Sequence, residues 1–231
     1  MAELYLVRHG QASFGSSNYD QLSELGHQQA VWLGEYFAER DIQFDRLITG
    51  TQLRHRQTLE GIAKGFTAST SKGVQQNWVA DTHPGFNEYD FYALFASLGE
   101  QHAHVRAYAL GDKRTFYKGL KEVLKLWMAD ELDGPLPERW ADFYQRVADA
   151  MKFATQTESE KVLVVSSGGP IGTIASQTML SPPQIGMELN LQVRNSSYCH
   201  YFFNQTSLRL SCFNAIPHLD LPQRLNAITY G

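Results

Sequence analysis

The chain is 231 residues long, 43% hydrophobic and 19% charged, enough for one domain with a full core or one domain carrying an insertion. A formal charge of −4 and a pI near 6.1 argue against general affinity for nucleic acid or anionic membranes, while leaving room for a local basic pocket. No apolar run reaches the length of a bilayer span, and MAELYLVRHG at the N-terminus lacks the apolar stretch of a signal peptide.

In chain order, residues 4–7 read as a short strand ending abruptly in Arg8-His9-Gly10. The polar stretch 11–21 reads as a loop. Ser23 has the character of an N-cap, and Leu25, Gln29, Trp32, Leu33, Tyr36 and Phe37 recur at helical spacing behind it. Residues 44–49 form a second strand candidate, 52–66 a helix and 74–79 a further short strand. From 81 to 137 the pattern breaks into a His-, aromatic- and Gly-rich stretch. It contains one clear helix, marked by Phe116, Leu120, Val123, Leu124 and Trp127, and reads as a mostly helical insertion covering one end of the sheet. Residues 140–153 make another amphipathic helix. Residues 161–165 make a strand that runs into Ser166-Ser167-Gly168-Gly169, with Pro170 set to start a helix. Residues 197–203 and 208–213 pattern as a hairpin. If Phe203 pairs with Leu208, Cys199 stands opposite Cys212, although reduced thiols in a cytoplasmic protein are the simpler expectation. The tail 214–231 has no clear period. Short strands alternating with amphipathic helices predict an α/β sandwich with a mainly parallel sheet, within one domain spanning 1–231.

Functional groups in such sheets collect just past the carboxyl ends of strands. There, His9 can serve as nucleophile, base or metal ligand, but no neighbouring His or carboxylate has ligand spacing. Arg8 beside it favours an anionic substrate, and Gly10 permits close backbone approach. A second strand–helix junction, TGTQLRHRQT (49–58), carries Arg54 in its first turn toward the same end. An arginine clamp beside a nucleophilic histidine suits phosphoryl transfer, where charge on the equatorial oxygens must be neutralised.

These segments together resemble the histidine phosphatase (phosphoglycerate-mutase-like) superfamily. LVRHGQAS (6–13) is similar to its signature loop, LSELGHQQA (22–30) to its helix opening and LRHRQT (53–58) to the segment with its second arginine. PGFNEYDF (84–91) is similar to its acidic stretch, and WADFYQRV (140–147) and FNAIPHL (213–219) match further parts. The resemblance implies a three-layer α/β/α sandwich with a mostly parallel mixed sheet, and no metal or organic cofactor. It implies that His9 is transiently phosphorylated, that Arg8 and Arg54 bind the non-bridging oxygens, and that Glu88 is the general acid and then base. Glu88 needs a proton for that role, so burial against Phe86, Tyr89 and Phe91 would have to raise its pKa. His83 and Asp90 stand near enough to replace Glu88 if the match slips.

One departure stands out. The family places a second histidine in a Ser-His-Gly-Gly-type turn, and Ser167 holds that position here. Serine keeps one donor but loses charge and reach, a change that can cost on the order of 10²–10³ in rate. Ser167→His is therefore expected to raise the rate. His55, His83, His102, His104, His200 and His218 are available to fill the gap, but no spacing nominates any of them. Ser13 or Asn18 replaces an asparagine that relatives often carry after the signature, and Ser13, Ser167 and Gly168 are the remaining candidates for phosphate contact. The expected activity is a cytoplasmic phosphomonoesterase on a small phosphorylated metabolite, slowed by Ser167. A mutase is disfavoured because the insertion has only Arg106 and Arg114 as arginines. The alternative is a phospholigand-binding or regulatory protein with little or no turnover. A nucleotide-binding reading of the SSGG turn fails for want of G-x-G-x-x-G or a Walker lysine. Oligomeric state is left open.

Overall fold

Alternate side chains along the central strands are apolar on both sides, so both faces of the sheet must be covered. In β1 (Ala2–Arg8), Leu4 and Leu6 enter one buried cluster while Tyr5 and Val7 enter another. β4 (Lys161–Ser166) divides in the same way, Val162 and Val164 against Leu163 and Val165. The structure, a computed structural model, describes residues 1–13, 20–70 and 76–230, apart from the Lys113 side chain.

Helices α1 (Glu24–Glu39) and α2 (Leu53–Ser69) cover the Tyr5 face with Leu33, Phe37, Ile62 and Phe66. They approach closely at glycines: a Cβ on Gly34 would lie 2.0 Å from the Ile62 carbonyl oxygen, and one on Gly65 would lie 2.0 Å from that of Val31. The opposite face is covered by α6 (Trp140–Thr155) and α7 (Gly168–Thr178), through Phe143, Val147, Ile171 and Ile174. The result is a three-layer α/β/α sandwich.

The six strands run in the order β3-β2-β4-β1-β5-β6. β3 (Asp81–Thr82), β2 (Arg46–Thr49), β4 and β1 are parallel, and β5 (Tyr198–Phe203) and β6 (Leu208–Ala215) are antiparallel. The register aligns Thr49, Val165 and Val7 in one row. Gly50-Thr51, Ser166-Ser167 and Arg8-His9 therefore leave the sheet side by side at a single edge.

Several expectations shift. The 74–79 strand begins outside the described residues, and 76–80 form no regular element. The real edge strand is β3, whose two exposed polar residues offer no apolar pattern to read. Ser23 caps α1 as expected, its Oγ accepting from the Gly26 N–H at 3.0 Å. α7 begins two residues before Pro170, at Gly168. The stretch 81–137 holds α3 (Phe91–Ala96), α4 (Ala103–Arg106) and α5 (Lys113–Met128). α8 (Pro183–Asn190) was not anticipated. In the hairpin Phe203 does pair with Leu208, but a bulge brings Cys212 opposite His200. Both thiols are free, Cys199 buried and Cys212 exposed. Among the described residues no helix is long and apolar enough to cross a membrane, and no three His, Cys, Asp or Glu side chains group as metal ligands.

Candidate active site

The shared strand edge opens into a small solvent-connected cleft whose lining includes Arg8, His9, Arg54 and Glu88. These four come from three separate stretches of chain. Arg8 ends β1 and His9 follows it, both buried at 8% and 4% exposure. The His9 backbone N–H donates to the Ser166 carbonyl at 2.9 Å, and Gly10 donates to Thr58 Oγ1 at 3.1 Å, which ties the turn to α2.

His9 is held neutral. Burial pushes its pKa well below the ordinary histidine value, and the Arg54 and Arg8 guanidiniums push the same way. A neutral imidazole has one N–H, and Nδ1 lies 2.7 Å from the Gly10 carbonyl oxygen, an acceptor only. Nδ1–H therefore donates to Gly10 and the Nε2 lone pair is available. That is the state a nucleophilic histidine requires.

Arg54 is 4% exposed and bonds Asp20 at 2.7 Å, while the other Asp20 oxygen accepts from the Leu53 N–H at 2.9 Å and satisfies a donor in the first turn of α2. Arg8 donates through Nη1 to the Val193 carbonyl, and its buried Nε has no partner among the described residues. Gly168 borders this guanidinium, since a Cβ on it would lie 3.6 Å from Arg8 Cζ. Two buried cations and an unused donor give the cleft end a positive potential suited to an anion.

Glu88 lies in a stapled turn. Its N–H donates to Gln52 Oε1 at 3.0 Å, Asn87 exchanges two 2.7 Å hydrogen bonds with Thr51, and Ser166 Oγ donates to the Phe86 carbonyl at 2.8 Å. Arg146, from the WADFYQRV segment, donates to the Gly85 and Asn87 carbonyls. The carboxylate accepts the Gly169 N–H at 3.1 and 3.2 Å, at the N-terminus of α7. Burial raises its pKa, opposed first by the Gly169 N–H and then by Arg54 and Arg8. A carboxyl group that keeps its proton to higher pH beside a neutral imidazole can act as an acid for a leaving group.

Ser13, Ser167 and Gly168 do not line the cleft. Ser13 is half-buried, its N–H bonded to the Gln21 carbonyl at 2.9 Å. Asn18 lies outside the described residues. Ser167 is fully buried, with its Oγ 2.7 Å from His55 Nε2. Of the other candidates, His83 Nδ1 accepts from the Gly85 N–H, His200 bonds Glu3 and His218 bonds Ser196, while His102 and His104, at the start of and within α4, do not line the cleft. Burial and then Arg224 push His218 down to about 3. His55 therefore fills the space that a histidine at 167 would need, so Ser167→His meets a packed neighbour and is no longer expected to raise the rate.

Asn190 and Leu191 reach the cleft from α8 and just beyond it, and no motif announces either of them. Asn190 Nδ2 donates to the Tyr89 hydroxyl at 2.9 Å. The Pro182-Pro183 start was the available sign of that helix. Phe91, Phe116, Leu120 and Leu191 add apolar lining to the cleft, and Tyr117 joins them with its hydroxyl in the field of Arg8 and Glu88.

The chain belongs to the histidine phosphatase superfamily (branch 1), whose model matches residues 4–216. No curated protein matches it by sequence. Among solved structures it is similar to a phosphoserine phosphatase from Entamoeba histolytica in complex with 3-phosphoglyceric acid, at 18% identity and TM-score 0.62, covering 95% of this chain and 100% of that one. A phosphoglycerate mutase from Bacillus anthracis str. Sterne matches at 18% identity and TM-score 0.63, covering 94% of each chain. An alpha-ribazole phosphatase from Shigella flexneri matches at 19% identity and TM-score 0.59, covering 92% of this chain and 96% of that one. At such identities the likeness concerns the fold.

Proposed function

We propose that the protein is a phosphomonoesterase acting through a phosphohistidine on a small phosphorylated metabolite. The observation that carries this reading is the convergence of neutral His9, Arg8, Arg54 and Glu88 in one cleft. His9 Nε2 attacks phosphorus while the bond from phosphorus to the leaving oxygen breaks, and Glu88 gives its proton to that oxygen. Water then attacks the phosphohistidine, Glu88 takes back a proton, and the P–N bond breaks to release phosphate. Arg8 and Arg54 neutralise the equatorial oxygens in both steps. Because the His55–Ser167 pair adds no cation, the rate is expected to be modest for this chemistry.

The wall of the cleft supports a narrower substrate class. Arg8 and Arg54 are the cations among its lining residues, and 14–19 contains no Lys or Arg. Arg106 is committed to the Leu98 carbonyl and to Glu100. A leaving group that is uncharged and at least partly apolar therefore fits better than one with a carboxylate or second phosphate, which also speaks against a mutase.

The test is hydrolysis of p-nitrophenyl phosphate, 1-naphthyl phosphate and 3-phosphoglycerate by the wild type and His9→Ala, with trapping of an acid-labile, alkali-stable phosphoenzyme. The expected result is turnover lost in His9→Ala, a phosphoenzyme in the wild type, and kcat/KM about tenfold or more higher for the aryl esters. Turnover that survives His9→Ala would overturn the mechanism. Binding of phosphate without turnover of any ester would favour a phospholigand-binding protein instead.

A further inference from the structure

The first turn of α2 presents two neighbouring side chains at the same edge. Arg54 lines the cleft, while His55 turns inward and is fully buried. Its ring lies 5.8 Å from that of His9, centroid to centroid, at an interplanar angle of 40°. Its Nε2 is 2.7 Å from Ser167 Oγ, which is also fully buried. Two polar groups taken wholly out of water for a single hydrogen bond are costly, and packing alone would be better served by apolar residues.

The protonation state of the pair follows from its surroundings. Burial, then Arg54 and Arg56, hold His55 well below the ordinary histidine value, so the ring is neutral with one N–H. Nδ1 has no partner among the described residues. With the proton on Nε2 the ring donates to Ser167 Oγ, and with it on Nδ1 the ring accepts from the Ser167 hydroxyl; in both tautomers one hydrogen bond joins the two side chains. His55 is therefore an uncharged hydrogen-bond partner of Ser167.

That one bond joins three pieces of the site. On one side it holds the turn that carries Arg54. On the other it holds Ser167, the N-cap of α7, whose first turn supplies the Gly169 N–H that fixes Glu88. Between them the His55 ring backs His9, whose strand runs in register with β4 so that Arg8 pairs with Ser166. We propose that His55, acting through Ser167 and His9, is a positioning residue for the phosphoryl-transfer site. It keeps nucleophile, arginine clamp and acid in mutual alignment without touching substrate. The proposal rests on the phosphohistidine reading but makes a separate claim.

The experiment compares wild type, His55→Ala, His55→Gln, Ser167→Ala and His9→Ala, measuring kcat and KM for p-nitrophenyl phosphate and the affinity for orthovanadate, which mimics the pentacoordinate phosphoryl group. Thermal denaturation identifies a temperature at which every variant is folded. Loss of alignment by about 1 Å is worth about 100-fold in rate. His55→Ala and Ser167→Ala are therefore expected to lower kcat 10- to 100-fold and weaken vanadate binding comparably, with KM within about threefold. His55→Gln, whose amide can donate to Ser167, is expected to recover most of the loss. Should His55→Ala fail to fold, Ser167→Ala, a change of one atom, carries the same prediction. A folded Ser167→Ala or His55→Ala with wild-type kcat and vanadate affinity overturns the proposal. So does a His55→Gln variant as impaired as His55→Ala. A wild type that neither binds vanadate nor loses activity in His9→Ala overturns the phosphohistidine reading itself.

Discussion

Gly169→Ala tests how the general acid is held. A Cβ on Gly169 would lie 2.2 Å from Glu88 Oε1 and 2.6 Å from Tyr89 Cε1, where ordinary contact begins near 3.4 Å. Both the carboxylate and the Tyr89 ring, which is packed and bonded to Asn190, must therefore give way, the carboxylate by about 1 Å. Moving it lengthens the hydrogen bond from the Gly169 N–H, a bond to a charged group worth about 1.5–3 kcal/mol. Alanine in a helix recovers about 1 kcal/mol relative to glycine. Overpacking against the Tyr89 ring adds about 1–3 kcal/mol, so net destabilisation is about 2–4 kcal/mol, a fall of about 5–15 °C in Tm for a chain of this size. Displacing the acid by about 1 Å also costs about 100-fold in kcat. The pH dependence moves as well. The Gly169 N–H is the foremost group holding the Glu88 pKa down, so weakening it raises that pKa further. The acid form persists to higher pH, and the alkaline limb of kcat/KM for p-nitrophenyl phosphate shifts upward. Melting curves and a pH–rate profile read both effects. A variant with kcat within twofold of wild type and an unmoved alkaline limb would refute the assignment of Glu88 as an acid held by α7.

Glu88→Gln keeps an acceptor for Gly169 and removes the charge. Because the folded-state pKa of Glu88 is raised, the native state binds a proton that the unfolded chain has released, and stability falls as pH rises through that window. The variant is expected to melt higher than wild type at pH 7–8 but not at pH 4, while kcat drops 10²-fold or more; a lower Tm at neutral pH would contradict the sign. Gly65→Ala forces α1 and α2 apart at the Val31 carbonyl, at a cost of about 1–3 kcal/mol. Thermal denaturation should show a fall of about 3–10 °C, and a shift under 1 °C would mean that the helices separate freely.

The parts of the fold that could be read in advance were those where hydrophobic period and burial coincide. β1 and β4 are apolar on both faces and sit at the centre of the sheet, and α1 carries a capping serine whose side chain does what its type predicts. β3 escaped notice because two ladder pairs with β2, and nothing apolar, define it. The hairpin register was misjudged because a bulge adds one residue without altering the alternation on either side. For the site, Arg8, His9, Arg54 and Glu88 were legible as a set because each lies in a recognisable segment, and the structure brings them to one cleft. His55 was one of six available histidines, with no spacing to single it out. Its neighbours Arg54 and Arg56 make the LRHRQT stretch read as polar and solvated, and only the three-dimensional meeting of α2 with α7 reveals a buried imidazole.

That meeting has an evolutionary consequence. Positions 55 and 167 share one buried volume and one hydrogen bond, so neither can be read alone. A large side chain at one demands a small one at the other, and a single exchange must pass through either a clash or a cavity. Among related chains the two positions should therefore change together, a bulky residue at 167 accompanying a small one at 55. A search pattern that insists on histidine after β4 would discard this protein as defective, although an imidazole approaches the same place from the neighbouring helix.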